Sequence, residues 1–170
     1  MGRNGMIFTL ILNPAVDREL TVPAVEFDTV LRAVKAQVDF GGKGFNISRL
    51  LKGLDTPSTA VGFVGGKAGE MLRDGLQMLG IGTDFVWVDG ETRTNISIAT
   101  QVGGHHIKVN EKGPLVDLAR QQELLEKIEA LVQPGDWCAT ASMKGTEDGS
   151  HDLISELLSQ VRYELLDPVS

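Results

Sequence analysis

From Met6 to Leu12 the chain is almost continuously apolar, and the run stops at Asn13-Pro14. A short apolar stretch bounded by a turn signal predicts a buried strand, since proline cannot donate to a sheet ladder. The pattern then changes. Between Asp17 and Asp39, Leu20, Val22, Val25, Val34, Ala36 and Val38 are interleaved with Glu, Thr, Lys and Gln. That period of two predicts half-exposed strands in a small sheet outside the main one.

Beyond Gly41-Gly42-Lys43-Gly44 the spacing becomes helical, with Ile47, Leu50, Leu51 and Leu54 at i, i+3, i+4 and i+7. Thr59 to Val64 predicts a short buried strand. Ala68 to Leu79 predicts a helix that buries Leu72, Leu76 and Leu79 and closes at Gly80, and Phe85 to Val88 another strand. Strand–helix–strand steps of this length are most simply satisfied by a mostly parallel sheet. Thr94 to Thr100 alternates, Gly103-Gly104 follows, and His106 to Val109 alternates again, so a hairpin is expected there. Its polar partners suggest that it joins the Asp17–Asp39 strands as a side sheet or lid.

Leu118 to Val132 is the clearest helix, with Leu124, Leu125, Ile128, Leu131 and Val132 on one face and Pro134-Gly135 ending it. Trp137 to Ala141 predicts a strand, Ser150 to Arg162 an amphipathic helix, and Tyr163 to Leu166 one more strand. Trp87 and Trp137 fall at strand positions and are expected in the core. The last strand is reached with four residues remaining, whereas a βα repeat normally runs on into a covering helix. The pattern is that of the front portion of a larger α/β protein.

Composition narrows the function classes. The 170 residues carry 16 Lys+Arg against 23 Asp+Glu, a formal charge of −7. That deficit of positive charge argues against nucleic acid as the main partner. Twenty glycines, about 12% against a usual ~7%, are scattered through apolar segments rather than set at period three. Cys138 stands alone, which excludes an intrachain disulfide framework and a cysteine-based zinc site. No apolar run approaches the roughly 20 residues that cross a bilayer, and no secretory leader is recognisable. The expected compartment is the cytoplasm, with no membrane partner.

The sharpest chemical feature is Gly41-Gly42-Lys43-Gly44-Phe45-Asn46, set between a strand and a helix. Glycines allow close ligand approach, a helix start offers unpaired N–H groups, and Lys43 adds a mobile charge. Asn46 can donate to and accept from a hydroxyl. The spacing is not that of a Walker loop. A plain tight turn with a solvated lysine fits the same residues. Asp17, just after the first strand, could accept from two sugar hydroxyls at the sheet edge where α/β folds bind ligands, or be an ordinary turn aspartate. Arg93, in Thr92-Arg93-Thr94-Asn95, could clamp a phosphate through its planar fork, or pair with Glu91 or Asp89 on the surface.

A second cluster, Gly62, Gly65, Gly66 and Gly69, lacks dinucleotide spacing. It reads as a tight turn under or beside a ligand, the alternative being an anion contact from Lys67. His105 and His106 read as hairpin surface, and His151, Glu147 and Asp148 as solvated groups. No metal site and no Ser/His/Asp triad can be assembled.

Taken in order, Leu12-Asn13-Pro14-Ala15-Val16-Asp17, Gly41-Gly42-Lys43-Gly44-Phe45-Asn46, Gly62-Phe63-Val64-Gly65, Thr92-Arg93-Thr94-Asn95 and Glu111-Lys112-Gly113-Pro114 resemble the phosphofructokinase B, or ribokinase-like, family of carbohydrate kinases. The resemblance is nearest to its 1-phosphofructokinase and tagatose-6-phosphate kinase branch. It implies an α/β, Rossmann-type three-layer core, incomplete here, spanning residues 6–170. A small β-sheet lid would come from about 17–39 and 94–109, cover the sugar and often mediate dimerisation.

It also implies ATP-dependent phosphorylation of a sugar phosphate, with ATP and Mg2+ as cofactors of the full-length enzyme. Candidate products are fructose 1,6-bisphosphate from fructose 1-phosphate, or the phosphorylated form of tagatose 6-phosphate. By the resemblance Asp17 would hold sugar hydroxyls, and Gly41, Gly42, Lys43 and Asn46 would line the pocket. Arg93 would meet the phosphate already present, and Asn95 and Ser142 would contact substrate. The family loop Gly-Ser-Leu-Pro-x-Gly reads here Ala141-Ser142-Met143-Lys144-Gly145-Thr146. The family's Gly-Ala-Gly-Asp segment, which carries the general base and the anion hole, does not occur in these 170 residues. The expectation is a kinase by ancestry that is inactive alone. The alternatives are a non-catalytic sugar-phosphate sensor and a kinase of another sugar or nucleoside.

Overall fold

The computed structural model describes residues 5–140. Two four-stranded sheets are built from alternate parts of the chain. The first, in the order β5-β4-β1-β8, is entirely parallel: β1 (Ile7–Ile11), β4 (Ser58–Val64), β5 (Gly82–Trp87) and β8 (Trp137–Thr140). Helix α1 (Lys43–Gly53) links β1's side of the chain to β4, and α2 (Gly66–Met78) links β4 to β5. Helix α3 (Leu118–Leu131) precedes β8.

Right-handed crossovers then dictate the layers. From β1 through β4 to β5 the chain moves across the sheet one way, so α1 and α2 share a face. The return to β8 puts α3 on the other. The core divides accordingly. Phe8, Leu10, Val61, Phe63 and Val86 pack under Leu124, Leu125 and Ile128 of α3. Ile11, Ala60, Val64 and Phe85 pack under Phe45, Leu72 and Leu76 of α1 and α2. Phe45 is fully buried, and its ring meets that of Phe85 edge-on at 6.2 Å.

The second sheet runs β3-β2-β6-β7, comprising β2 (Ala15–Val22), β3 (Lys35–Gly41), β6 (Arg93–Thr100) and β7 (His106–Asn110). β2 is antiparallel to β3 and parallel to β6, and β6 is antiparallel to β7. The predicted hairpin is present, turned by Gly103 and Gly104 at φ 87° and 65°. Both angles lie in the left-handed region that glycine enters at little cost. The predicted strands between Asp17 and Asp39 are interrupted: residues 23–34 form an irregular, mostly exposed connection that includes Val25 and Val34. It begins at Pro23, which cannot donate to a ladder, and closes where Val34 N donates to Thr21 O at 2.8 Å.

Three burial expectations need correction. Leu50 of α1 and Leu54, just past its end, are each 65% exposed. The buried face of α1 is instead Gly44, Phe45 and Ser48, because the helix start lies so close to β1 that a Cβ on Gly44 would fall on Ile11. Ser48 there shares a 2.6 Å hydrogen bond with Thr9 of β1, both side chains fully buried. Leu79, just past the end of α2, is exposed as well. Neither tryptophan is core. Trp87 ends the edge strand β5 at 37% exposure, with the Arg73 guanidinium 5.5 Å from its ring centre. Trp137 opens β8, the outermost described strand, and is 72% exposed. The predicted helix at Ser150–Arg162 and strand at Tyr163–Leu166 lie outside the described residues.

Candidate sugar-phosphate pocket

The two sheets meet where β1 ends. The chain leaves β1, turns through Asn13-Pro14 and enters β2, whose first residue pairs on both sides: Ala15 lies opposite Gly41 and opposite Arg93. Two residues on, Asp17 lies opposite Asp39 and Asn95. Directly paired residues share a face of the sheet, as do i and i+2 along a strand. One face at the core end of the side sheet therefore carries Gly41, Arg93, Asp17, Asn95 and Asp39 together. The segments bearing Lys43 and Arg93, remote in sequence, come together on either side of Ala15.

Gly41 is required by this geometry: a Cβ there would fall on Asp17 Oδ2. The Asp17 carboxylate thus lies against the backbone that leads through Gly42, at φ 141°, into α1. Lys43 is the first residue of α1 and Asn46 sits exposed in its first turn, with its N–H donating to Gly42 O at 3.2 Å. The start of α1 has no side-chain cap and no acidic residue in its first turn. The other two described helices differ. Glu91 accepts from Ala68 N at the start of α2, and Asp117 accepts from Arg120 N at the start of α3. Among the described residues no side chain caps the first N–H groups of α1.

Arg93 is half-buried and held by two acceptors. Its Nη1 donates to Asn95 Oδ1 at 3.1 Å and its Nη2 to Asn13 O at 3.3 Å. Asn95 Nδ2 in turn donates to Asp17 Oδ1 at 2.7 Å. Two of the five guanidinium N–H groups are used. Among the described residues, Arg93 Nε is buried without a hydrogen-bond partner, as is Asn13 Oδ1. Burial pulls the Arg93 pKa below the usual arginine value, and the charge of Asp17 pushes it back. A cation desolvated more than it is compensated suits an anionic ligand.

The surface pairing of Arg93 with Glu91 or Asp89 weighed from sequence does not occur. Glu91 is committed to α2, and Thr92 fixes the segment by accepting from Gly65 N at 2.9 Å. A second brace comes from the far side, where Thr94 N donates to Glu111 Oε2 at 2.8 Å and Gly113 packs on the Asn13 amide.

The second glycine cluster serves close approaches of the backbone. A Cβ on Gly62 would fall on Ile11 O, so this residue serves the approach of β4 to β1. Gly66, at φ 61°, makes room for the Glu91 carboxylate, and Lys67 pairs with Glu70 at 2.7 Å. Asn13, which the sequence marks as part of a turn and of the first family motif but not as a site residue, supplies a carbonyl to Arg93. Ser142, His151, Glu147 and Asp148 lie outside the described residues. Among the described residues no group of His, Cys, Asp and Glu could hold a metal ion. Nor does any described helix have the length and apolarity to cross a membrane.

What these residues define is an α/β protein whose Asp17, Asn95 and Arg93 are joined by hydrogen bonds on one face of the side sheet. Residues 11–162 match the model of the pfkB family carbohydrate kinases, and the chain belongs to that family. It is 35% identical to a D-tagatose-1-phosphate kinase of Bacillus licheniformis over 97% of its own length and 54% of the relative's. It is 30% identical to a 1-phosphofructokinase of Borreliella burgdorferi over 92% and 51%. Among solved structures, a putative phosphofructokinase from Staphylococcus aureus superposes with a TM-score of 0.80 at 30% identity, covering 91% of this chain and 50% of that one. The chain spans about half the length of these relatives.

Proposed function

We propose that this chain forms the acceptor side of a sugar-phosphate kinase. In this reading Arg93 binds the phosphate already on the sugar, and Asp17 accepts from sugar hydroxyls. Gly41, Gly42, Lys43 and Asn46 line the pocket at the uncapped start of α1. The phosphosugar is fructose 1-phosphate or a tagatose phosphate, and ATP with Mg2+ is the phosphoryl donor of the complete enzyme. The side sheet then acts as a lid that keeps water from the acceptor and so favours transfer over hydrolysis. Since the 170 residues contain no Gly-Ala-Gly-Asp segment, we propose that the chain by itself binds its sugar and does not turn over ATP. We also propose that the outer apolar face of the lid pairs with a second copy of the chain.

The observation that carries this reading is the half-buried Arg93, with N–H groups to spare, joined through Asn95 to Asp17 beside an uncapped helix start. Calorimetry on the 170-residue chain tests it. Fructose 1-phosphate or a tagatose phosphate should bind, unphosphorylated fructose at least tenfold more weakly, and Arg93→Met should abolish the difference between them. A charge-assisted contact between guanidinium and phosphate is worth roughly 1.5–3 kcal/mol, which covers that tenfold. Equal affinity for the phosphorylated and free sugar would overturn the assignment of Arg93. Phosphosugar binding without ATP turnover would agree equally with a sensor, which product formation on adding the remainder of a family enzyme would exclude.

A further inference from the structure

Asn95 is 6% exposed, and its amide is engaged at both ends. Its Oδ1 takes a hydrogen from Arg93, and its Nδ2 gives one to Asp17 Oδ1. A neutral amide can accept from a cation on one side while donating to a carboxylate on the other. Arg93 and Asp17 share one face of the sheet, two residues apart in register, yet the structure shows no direct ion pair between them. A guanidinium and a carboxylate so placed would otherwise join through two parallel hydrogen bonds, the strongest arrangement open to them. That pairing would use up the donors needed for a phosphate and the oxygens needed for hydroxyls.

We propose that Asn95 is a positioning residue that holds Arg93 and Asp17 apart, keeping both open to ligand, rather than a residue that itself contacts the sugar phosphate. The proposal rests on the phosphosugar reading of the pocket. Three features support it. Its burial leaves Asn95 little surface for a ligand. Its bond to Asp17 Oδ1 leaves Oδ2 turned toward Gly41 and the start of α1. Its bond to Arg93 Nη1, with Asn13 O on Nη2, fixes the guanidinium plane. The neighbouring carboxylate on the same face, Asp39, is taken up by Arg49 of α1 and does not compete.

The test combines 15N NMR of the Arg93 side chain with calorimetry on the full chain, using fructose 1-phosphate as the probe. In Asn95→Leu, which keeps the volume and removes the bridge, Arg93 closes on Asp17. Its Nε–H and Nη–H resonances should move downfield, and affinity should fall at least tenfold. Asn95→Asp should disturb the Arg93 resonances by setting one carboxylate against another. Adding Asp17→Asn rebuilds an amide–carboxylate bridge in reverse order and should bring those resonances back. A structural role alone would not yield that rescue, and circular dichroism confirms that each variant is folded. Unmoved Arg93 resonances in Asn95→Leu would overturn the proposal, as would failure of the swap to restore them. If the resonances behave as expected but the parent chain binds no phosphosugar, the bridge stands and the phosphosugar reading falls.

Discussion

Asp17 and Gly41 compete for one space. The Asp17 Oδ2 occupies the space that a side chain at 41 would fill, so Gly41→Ala must push the carboxylate away or open the pairing of β2 with β3. Overpacking of this kind costs about 1–3 kcal/mol. A urea unfolding midpoint should therefore fall, and phosphosugar affinity by calorimetry should drop more than tenfold. Unchanged affinity would mean that Asp17 does not face the ligand. At this scale the sequence was informative about chemistry and silent about partnership. Arg93 and Asp17 could be picked out because charged groups beside turns in an apolar chain invite a reason. Nothing in Thr92-Arg93-Thr94-Asn95 says that Asn95 stands between them, since that depends on the register of β2 against β6, a parallel pairing across 78 residues. Asn13 was opaque for the same reason: its carbonyl meets Arg93 only once the side sheet is assembled.

Between elements, the join that matters most for the pocket is that of α1 to β3. Arg49 of α1 donates to both carboxylate oxygens of Asp39 and to Phe40 O, at the end of the strand that delivers Gly41 and Gly42. The hydrogen bond from Arg49, helped by that from Phe40 N, holds the Asp39 carboxyl below its ordinary value of 3.8 against the opposing effect of burial. A carboxyl depressed on folding contributes stability that is fully present above the unfolded value and is lost as pH falls through the folded one. The pair is exposed enough to contribute only about 0.5 kcal/mol. Asp39→Asn should therefore lower the unfolding free energy by about that amount at pH 7. The difference from the parent should shrink below pH 3.8 and vanish once the folded carboxyl is protonated. A difference that persists at low pH would show that the asparagine variant is destabilised for a reason other than charge. The same element shows where periodicity misleads. Four apolar residues at helical spacing gave the existence of α1 correctly and its buried face wrongly. The phase of α1 is set by Gly44 lying on Ile11, by Phe45 and by the Ser48–Thr9 hydrogen bond. Those residues include the two small ones that a search for large side chains overlooks. For α3, where close backbone approach plays no part, Leu124, Leu125 and Ile128 are buried as their spacing predicts.

In the molecule as a whole, the order of strands and helices was legible because βα alternation and right-handed crossover leave few arrangements open, and the two sheets follow from the change of period after Leu12. The side sheet has two unlike faces. The polar one turns Asp17, Asn95 and Arg93 toward the start of α1. On the other, register sets Val38, Ile96 and Val109 in one row with Arg18, and Ala36, Leu20, Ile98 and Ile107 in the next. At its core end this second face is covered by α2, where the Phe40 ring lies on Gly75. Farther out, Val38, Ile107 and Val109 are exposed. An apolar sheet face that leaves its covering helix behind is costly in water unless something packs on it. A second copy, related by a two-fold axis, offers a matching face of the same chemistry, and a stable dimer needs on the order of 1,200–2,000 Å² of total buried surface. We expect the chain to sediment as a dimer at micromolar concentration, and Val38→Lys with Val109→Lys to yield a folded monomer. Both positions lie on the face away from the pocket, so the double variant should still bind fructose 1-phosphate if a single copy completes the acceptor site. A dimer that survives both lysines would place the interface elsewhere. A monomer that has lost phosphosugar affinity would show that the partner's lid helps to hold the ligand.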